Sequence, residues 1–158
     1  MTNVQQFLEE NNIEYILHKH PAVFTCEEAE KHCGNIPGLP CKNLVLKDGK
    51  KNFFMVILPA VKRLDFKKIA QTVEAKKVSF ASAEALDQLL GLEVGSVSPF
   101  GLLNDQGKKV RLFIDEEVVK AKIVSFHPNV NTATLELRNK DFFKFLEAIK
   151  CKPQIICF

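Results

Sequence analysis

The chain has 158 residues, of which 46% are hydrophobic and 26% charged, with a formal net charge of +3. That length suits one domain with a real core, and the balance is that of a soluble globular protein. No apolar run approaches the roughly 20 residues of a membrane span, and an N-terminus carrying Glu9 and Glu10 is no secretory signal, so no membrane partner is expected.

The first predicted element is a helix from Val4 to Asn11, with Phe7 and Leu8 toward the core and Asn11-Asn12 ending it. Tyr15-Ile16-Leu17-His18 reads as a short strand, and His18 and His20 flank a turn into Pro21 as surface residues. Thr25-Cys26-Glu27-Glu28 matches a capping box, and its helix should run to Cys33 and stop at Gly34. Asn35 to Cys41 places Gly38 between Pro37 and Pro40, which predicts a loop.

Lys42 to Lys47 and Asn52 to Leu58 are strand-like and joined across Asp48-Gly49, a hairpin signal. Phe53 to Leu58 is continuously apolar, so that strand should be central and covered on both faces. Asp65 caps a predicted helix through Val73, Val78-Ser79-Phe80 is a brief strand, and Ser82 caps a helix closed by Gly91. Three more strands follow at Val110 to Ile114, Ala121 to Phe126 and Thr132 to Leu137. The last helix carries Phe142, Phe145 and Leu146 behind Asn139 as its cap. Helices and strands mix irregularly, with hairpins, which predicts an α+β fold on a mixed or antiparallel sheet.

Between the helix ending at Gly91 and the strand at Val110 lies Gly95-Ser96-Val97-Ser98-Pro99-Phe100-Gly101-Leu102-Leu103-Asn104-Asp105. Two glycines and a proline argue against a helix or an inner strand there. The segment is nevertheless apolar, which fits two arrangements: a structured loop whose N–H groups approach a ligand, or a buried connection under the core.

Charge is sharply segregated. Residues 42–77 carry ten basic side chains against three acidic ones, whereas residues 78–107 contain no Lys or Arg. Lysines also cover ordinary solvated faces, but a block this lopsided suits a polyanionic partner, with nucleic acid first in line. The five cysteines, Cys26, Cys33, Cys41, Cys151 and Cys157, are odd in number and lack CxxC spacing. That predicts reduced thiols in a cytoplasmic setting and no metal site.

No phosphate loop, dinucleotide fingerprint, zinc-hydrolase helix or nucleophile elbow is present. Two residues stand out by position. Lys42 lies between a Gly/Pro loop and an inner strand, where an ammonium either meets an anionic partner or sits in water at a strand edge. His127 lies between a strand and Pro128, a place for a solvated, structural or site histidine.

Lys42-Asn43-Leu44, the run from Gly95 to Asp105, Phe126-His127-Pro128 with Asn131 to Thr134, and Pro21 to Thr25 together resemble the YbaK/prolyl-tRNA editing superfamily. Within it the chain is most similar to the freestanding prolyl-tRNA synthetase-associated branch, called PrdX or ProXp-ala. The match covers essentially the whole chain, 1–158, in the right order. It implies an α+β single domain around a barrel-like mixed sheet. It also implies hydrolysis of the ester joining a wrong amino acid, foremost alanine, to proline tRNA, with no metal or organic cofactor.

The resemblance carries catalytic roles onto Lys42, Gly95 and His127. Substrate-binding roles fall on Phe24, Thr25, Asn43, Ser96, Val97, Ser98, Pro99, Phe100 and Gly101. Ser98 stands where threonine is expected in many members, which bears on the size of the amino acid accepted. Mischarged tRNA is the implied partner, with prolyl-tRNA synthetase as a second. Within the basic block, Lys50, Lys51, Lys62, Arg63, Lys67 and Lys68 are the candidate tRNA contacts. Cys-tRNA or Ser-tRNA is the rival substrate, and a silent tRNA- or synthetase-binding module is the rival class.

Overall fold

The computed structural model describes residues 3–23, 27, 28, 31 and 34–158. The predicted capping box and helix from Thr25 to Cys33, with Phe24 and Thr25 as site residues, fall largely outside the described residues. In chain order the elements are α1 (Val4–Glu10), β1 (Ile16–Lys19), β2 (Leu39–Lys47), β3 (Phe53–Pro59), α2 (Phe66–Thr72), β4 (Ser79–Phe80) and α3 (Ala83–Leu90). A 3₁₀ helix (Pro99–Asn104) then leads to β5 (Val110–Asp115), α4 (Glu116–Lys120), β6 (Ile123–Phe126), β7 (Ala133–Arg138), α5 (Asn139–Ala148) and β8 (Gln154–Ile156).

The fold is α+β, on one mixed eight-stranded sheet in the order β1-β7-β6-β2-β3-β5-β8, with β4 also pairing β2. β2 pairs β3 antiparallel and β6 parallel, and β5 lies parallel to both β3 and β8. The path ends at β1 and β8, which do not pair, so the expected barrel-like closure is corrected to an open sheet.

β3 is central, as its apolar run predicts. Pleating sends Met55 and Ile57 into one core and Phe54, Val56 and Leu58 into the other, all nearly solvent-free. The larger core lies under α1, α3, the 3₁₀ helix and α5, where Phe100, Phe126, Phe142 and Phe145 meet ring against ring. Burying each such ring contributes on the order of 1.5–3 kcal/mol. The smaller core is closed by Ile69 and Ala70 of α2.

Local signals held where side chain and backbone could settle the matter alone. Asp65 caps α2, Ser82 caps α3, and Gly91 ends α3 in the left-handed conformation at φ 63°. The hairpin is longer than Asp48-Gly49 implies. Asp48 accepts hydrogen bonds from the Lys50 and Asn52 N–H groups and from Asn52 Nδ2, and Lys51, not Gly49, takes the positive φ of 63°.

Three elements differ from expectation. The predicted loop up to Cys41 is strand from Leu39, because β6 offers Leu39 and Pro40 a parallel partner. Pro99–Asn104 is helical after all: Pro99 occupies the first turn, where its missing N–H costs nothing, and the Ser98 hydroxyl accepts from the Phe100 N–H at 3.1 Å. Asn139 starts α5 but does not cap it. Its buried amide instead donates to the carbonyls of Val118, Val119 and Ala121, pinning α4 to α5. The predicted Ala121–Phe126 strand is accordingly shortened to Ile123–Phe126.

Candidate active site

Pleating decides which residues share a face. On β6 Val124 and Phe126 point into the larger core, and on β7 Leu135 and Leu137 do the same. Ser125, Thr134 and Glu136 therefore lie on the opposite face, and His127 follows in that alternation. On β2 Cys41 and Val45 pack with the larger core, so Lys42 also faces away from it. β2 and β6 run parallel with Pro40 beside Ser125; Lys42 and His127 each lie two residues further in the same direction. Lys42 and His127 are thus brought to one face, Lys42 within β2 just past its pairing with β6 and His127 just past the end of β6.

Lys42 is half-buried opposite Leu58 of β3, and its ammonium has no hydrogen bond or ion pair among the described residues. His127 is tightly held. Its Nδ1 lies 2.9 Å from the Ala133 carbonyl oxygen, which fixes the proton on Nδ1 and leaves Nε2 as an acceptor in the neutral ring. Burial lowers its pKa from the ordinary 6.5; the Ala133 bond opposes this and the charge of His20 adds to it.

His20 sits 6.0 Å from His127, ring centre to ring centre. It is locked from both sides, with Nδ1 2.8 Å from the Pro21 carbonyl oxygen and Nε2 2.8 Å from Thr134 Oγ1. Sequence reasoning placed His20 at the surface. The only local signal for it was the His-Pro pair, because what holds its ring comes from β7.

The glycine-bearing segment meets this region at the edge of β2. The β6 pairing ends at Pro40 and the β4 pairing begins at Leu46, so Cys41 to Leu44 have no strand partner on that edge. Asn43 Nδ2 donates there to the Val97 carbonyl at 3.4 Å, while Asn43 Oδ1 is buried and accepts no hydrogen bond among the described residues. The segment divides between an exposed start and a largely buried remainder. Gly95 is exposed at φ 92°, whereas Ser96, Ser98, Pro99, Phe100 and Gly101 are buried.

Its members differ in what they can do. Ser96 N–H is used by the Glu93 carbonyl and Pro99 has none, leaving the N–H groups of Gly95, Val97 and Ser98 without a partner among the described residues. Phe100 is fully buried against Phe126 and Phe145 and is a core side chain. Gly101 is a packing glycine, since a Cβ there would lie 2.6 Å from Leu92 Cδ1. A cleft of about 860 Å³ opens beside the segment, lined by His20, Ser96, Pro128, Asn129, Asn131 and Thr132 among others.

The basic candidates lie elsewhere. Lys50, Lys51, Arg63 and Lys67 are exposed. Lys62 is not a free cation: its ammonium contacts Glu117 at 3.0 Å, the fully buried Asp115 at 3.1 Å and the Phe158 carbonyl at 3.1 Å. Lys68 donates to the Cys157 carbonyl. Cys41, near Asp115, is held as a thiol, its pKa pushed up to about 12 by burial and then by that carboxylate.

Comparison with known proteins bears on this arrangement. A family model described as an aminoacyl-tRNA editing domain matches residues 20–145. The prolyl-tRNA editing protein ProX of Acetoanaerobium sticklandii is 37% identical over 142 residues, 89% of this chain and 87% of that protein. The prolyl-tRNA synthetase associated domain-containing protein 1 of Danio rerio is 31% identical over 157 residues, 98% of this chain and 85% of that protein. A solved structure described as a candidate trans-editing enzyme for prolyl tRNA synthetase shares the fold with a TM-score of 0.75 at 22% identity, covering 99% of this chain and 95% of that one.

Proposed function

Because the chain belongs to the aminoacyl-tRNA editing domain family, we propose that it is a freestanding deacylase, acting as one domain, that clears mischarged proline tRNA, with alanine the amino acid removed. The observation that carries this reading is the convergence on one sheet edge of Lys42, His127 and a segment with spare N–H donors. Each can serve an ester hydrolysis, by holding negative charge, orienting substrate or water, or donating to an oxyanion.

The chemistry demands little of the protein. An aminoacyl ester is already activated, so positioning water and stabilising the oxyanion suffice. Water adds to the ester carbonyl, and the N–H groups of Gly95, Val97 and Ser98 supply donors for the oxyanion. The carbon–oxygen bond to the terminal ribose then breaks, the ribose oxygen takes up a proton, and free amino acid and tRNA leave.

Lys42 binds the anionic 3′ end or steadies the developing charge, which suits a half-buried ammonium with no partner among the described residues. His127, neutral and with Nε2 as an acceptor, shapes the pocket and orients substrate or water. Asn43 Oδ1, a buried acceptor with no donor among the described residues, suits the substrate ammonium once the segment around Val97 yields to it.

The selectivity follows from size. A synthetase pocket made for proline cannot strongly reject a smaller side chain, since each missing methylene is worth only about 1–3 kcal/mol. A second pocket too small for proline hydrolyses what enters. The test is hydrolysis of Ala-tRNA(Pro) beside Pro-tRNA(Pro), Ala-tRNA(Ala), and Ser- and Cys-charged tRNA(Pro). Rapid release of alanine from the first alone supports the reading. Preference for serine or cysteine would move the substrate within the same chemistry, and no release from any would leave a binding module.

A further inference from the structure

We propose that the end of the sheet where β2 finishes and β3 and β5 begin grips the sugar–phosphate backbone of a base-paired RNA stem, its phosphates held in two neighbouring clefts lined by lysine and arginine. This rests on the tRNA reading above and names where, away from the ester, the RNA is held.

The two clefts adjoin along one row of the sheet. The first, of about 520 Å³, is lined by Lys47, Lys51 and Lys77 together with Phe53. The second, of about 270 Å³, is lined by Lys108, Arg111, Lys150 and Lys152 together with Val110. Phe53 pairs Lys47 on one side and Val110 on the other. Residues paired in such a row share a face, and here it is the face of the larger core, where Phe53 and Val110 both pack. Two strand spacings of about 4.8 Å put the backbones of Lys47 and Val110 roughly 10 Å apart. Cations on both sides of that row suit several phosphates of one backbone better than a single anion.

All of these cations are exposed, and none forms an ion pair among the described residues. Each lining has one carboxylate, and backbone N–H groups engage it: those of Lys50 and Asn52 bond to Asp48, those of Lys109 and Val110 to Asp105. Each cleft therefore keeps an excess of positive charge. Lys108 Nζ is aimed by the Ile149 and Lys150 carbonyls just past α5, and Arg111 lies over the Phe54 and Phe113 rings, 5.8 and 5.3 Å from their centres. Both contacts place a charge without cancelling it. Among the described residues, the exposed large apolar side chains all lie outside the two linings. A membrane surface would take an apolar anchor there, and a single strand would take a ring on which to stack a base. A paired stem, recognised by its phosphates and its shape, asks for neither. Lys47 faces the larger core and Lys42 faces away from it, so this contact supplies affinity and takes no part at the ester.

The experiment measures binding of uncharged tRNA(Pro) and of an RNA hairpin with a fully paired stem by fluorescence anisotropy across a salt series. Lys51→Gln with Lys77→Gln in one cleft, and Arg111→Gln with Lys152→Gln in the other, should each lower the magnitude of the salt slope by roughly 1.4–1.8, two phosphate charges' worth. All of these changes together should lower it by about twice as much. Lys77→Arg with Lys152→Arg, which keeps both charges, should leave the slope at its wild-type value. Unchanged slopes in both Gln pairs, with native circular dichroism, overturn the proposal. So does a change from one pair alone, tighter binding of an unpaired oligonucleotide than of the hairpin, or charge-dependent binding of anionic vesicles without RNA binding. Because these RNAs carry no amino acid, the outcome separates from the deacylase reading. Stem binding by the wild type without hydrolysis of any mischarged tRNA would sink that reading alone, and hydrolysis with every variant binding RNA normally would sink this one alone.

Discussion

Lys42 carries its charge on a half-buried side chain opposite Leu58, with the core built from other residues. Replacing it with alanine should remove transition-state stabilisation rather than packing. Lys42→Ala is expected to lower deacylation at least about 100-fold while leaving the melting temperature within roughly 2 °C. Lys42→Arg should fail too, because a planar fork does not replace a compact ammonium; retention of most activity by either variant would remove Lys42 from the mechanism. His127 gives a pH signature. Its folded pKa lies below the ordinary 6.5, mainly through burial. Above 6.5 the ring is neutral in both states and contributes no pH dependence. As pH falls through 6.5 the unfolded chain takes a proton that the folded ring resists, so stability drops until the folded pKa is reached, then levels. His127→Asn, whose amide N–H can replace Nδ1 toward Ala133, should abolish that slope. Urea unfolding of both proteins at pH 5.5 and 7.5 checks it, with the wild-type loss on acidification exceeding that of the variant.

Within the segment from Gly95 to Asn104, two glycines separate function from packing. Gly95 is exposed at φ 92°, outside the range most side chains adopt. Gly95→Ala should cost about 1–2 kcal/mol in backbone strain and a larger factor in turnover, since it disturbs the N–H donors that follow. Gly101 is buried, and a methyl group added there would lie 2.6 Å from Leu92 Cδ1 and 3.4 Å from Leu90 Cβ. Gly101→Ala should destabilise by about 1–3 kcal/mol through overpacking and leave turnover per folded molecule nearly unchanged. Paired melting curves and single-turnover rates test both. Equal loss of rate and stability at Gly95 would make it a structural turn as well.

Across the whole molecule the basic block divides into two kinds of lysine. Lys62 and Lys68 bond to the C-terminal segment through the Phe158 and Cys157 carbonyls, and Lys62 also compensates the buried Asp115. Lys62→Ala should lower the melting temperature by several degrees, roughly 2–8 °C, by leaving that carboxylate without its cation. Lys67, exposed on α2, should behave oppositely: Lys67→Ala leaves melting unchanged and, where it touches RNA, raises the apparent KM without altering chemistry at saturating tRNA. A double change at Lys67 and Lys68 mixes the two effects, so single variants are needed. Among the described residues no helix is long and apolar enough to cross a membrane.

What the sequence determined by itself was local. The apolar run of β3, the caps Asp65 and Ser82, Gly91 and the α+β class were legible because each depends on residues within a turn or a strand. The motifs around Lys42, the glycine segment and His127 were legible as a resemblance. Their shared face and edge were not, because these follow from a parallel pairing of β2 with β6 across more than eighty residues. Sheet closure, the triple role of the Asn139 amide, the engagement of Lys62 with Asp115 and the locking of His20 by Thr134 were likewise decided only in three dimensions. A polar side chain carries its chemistry in the sequence, but its partner is chosen by which distant strand the backbone hydrogen bonds bring beside it.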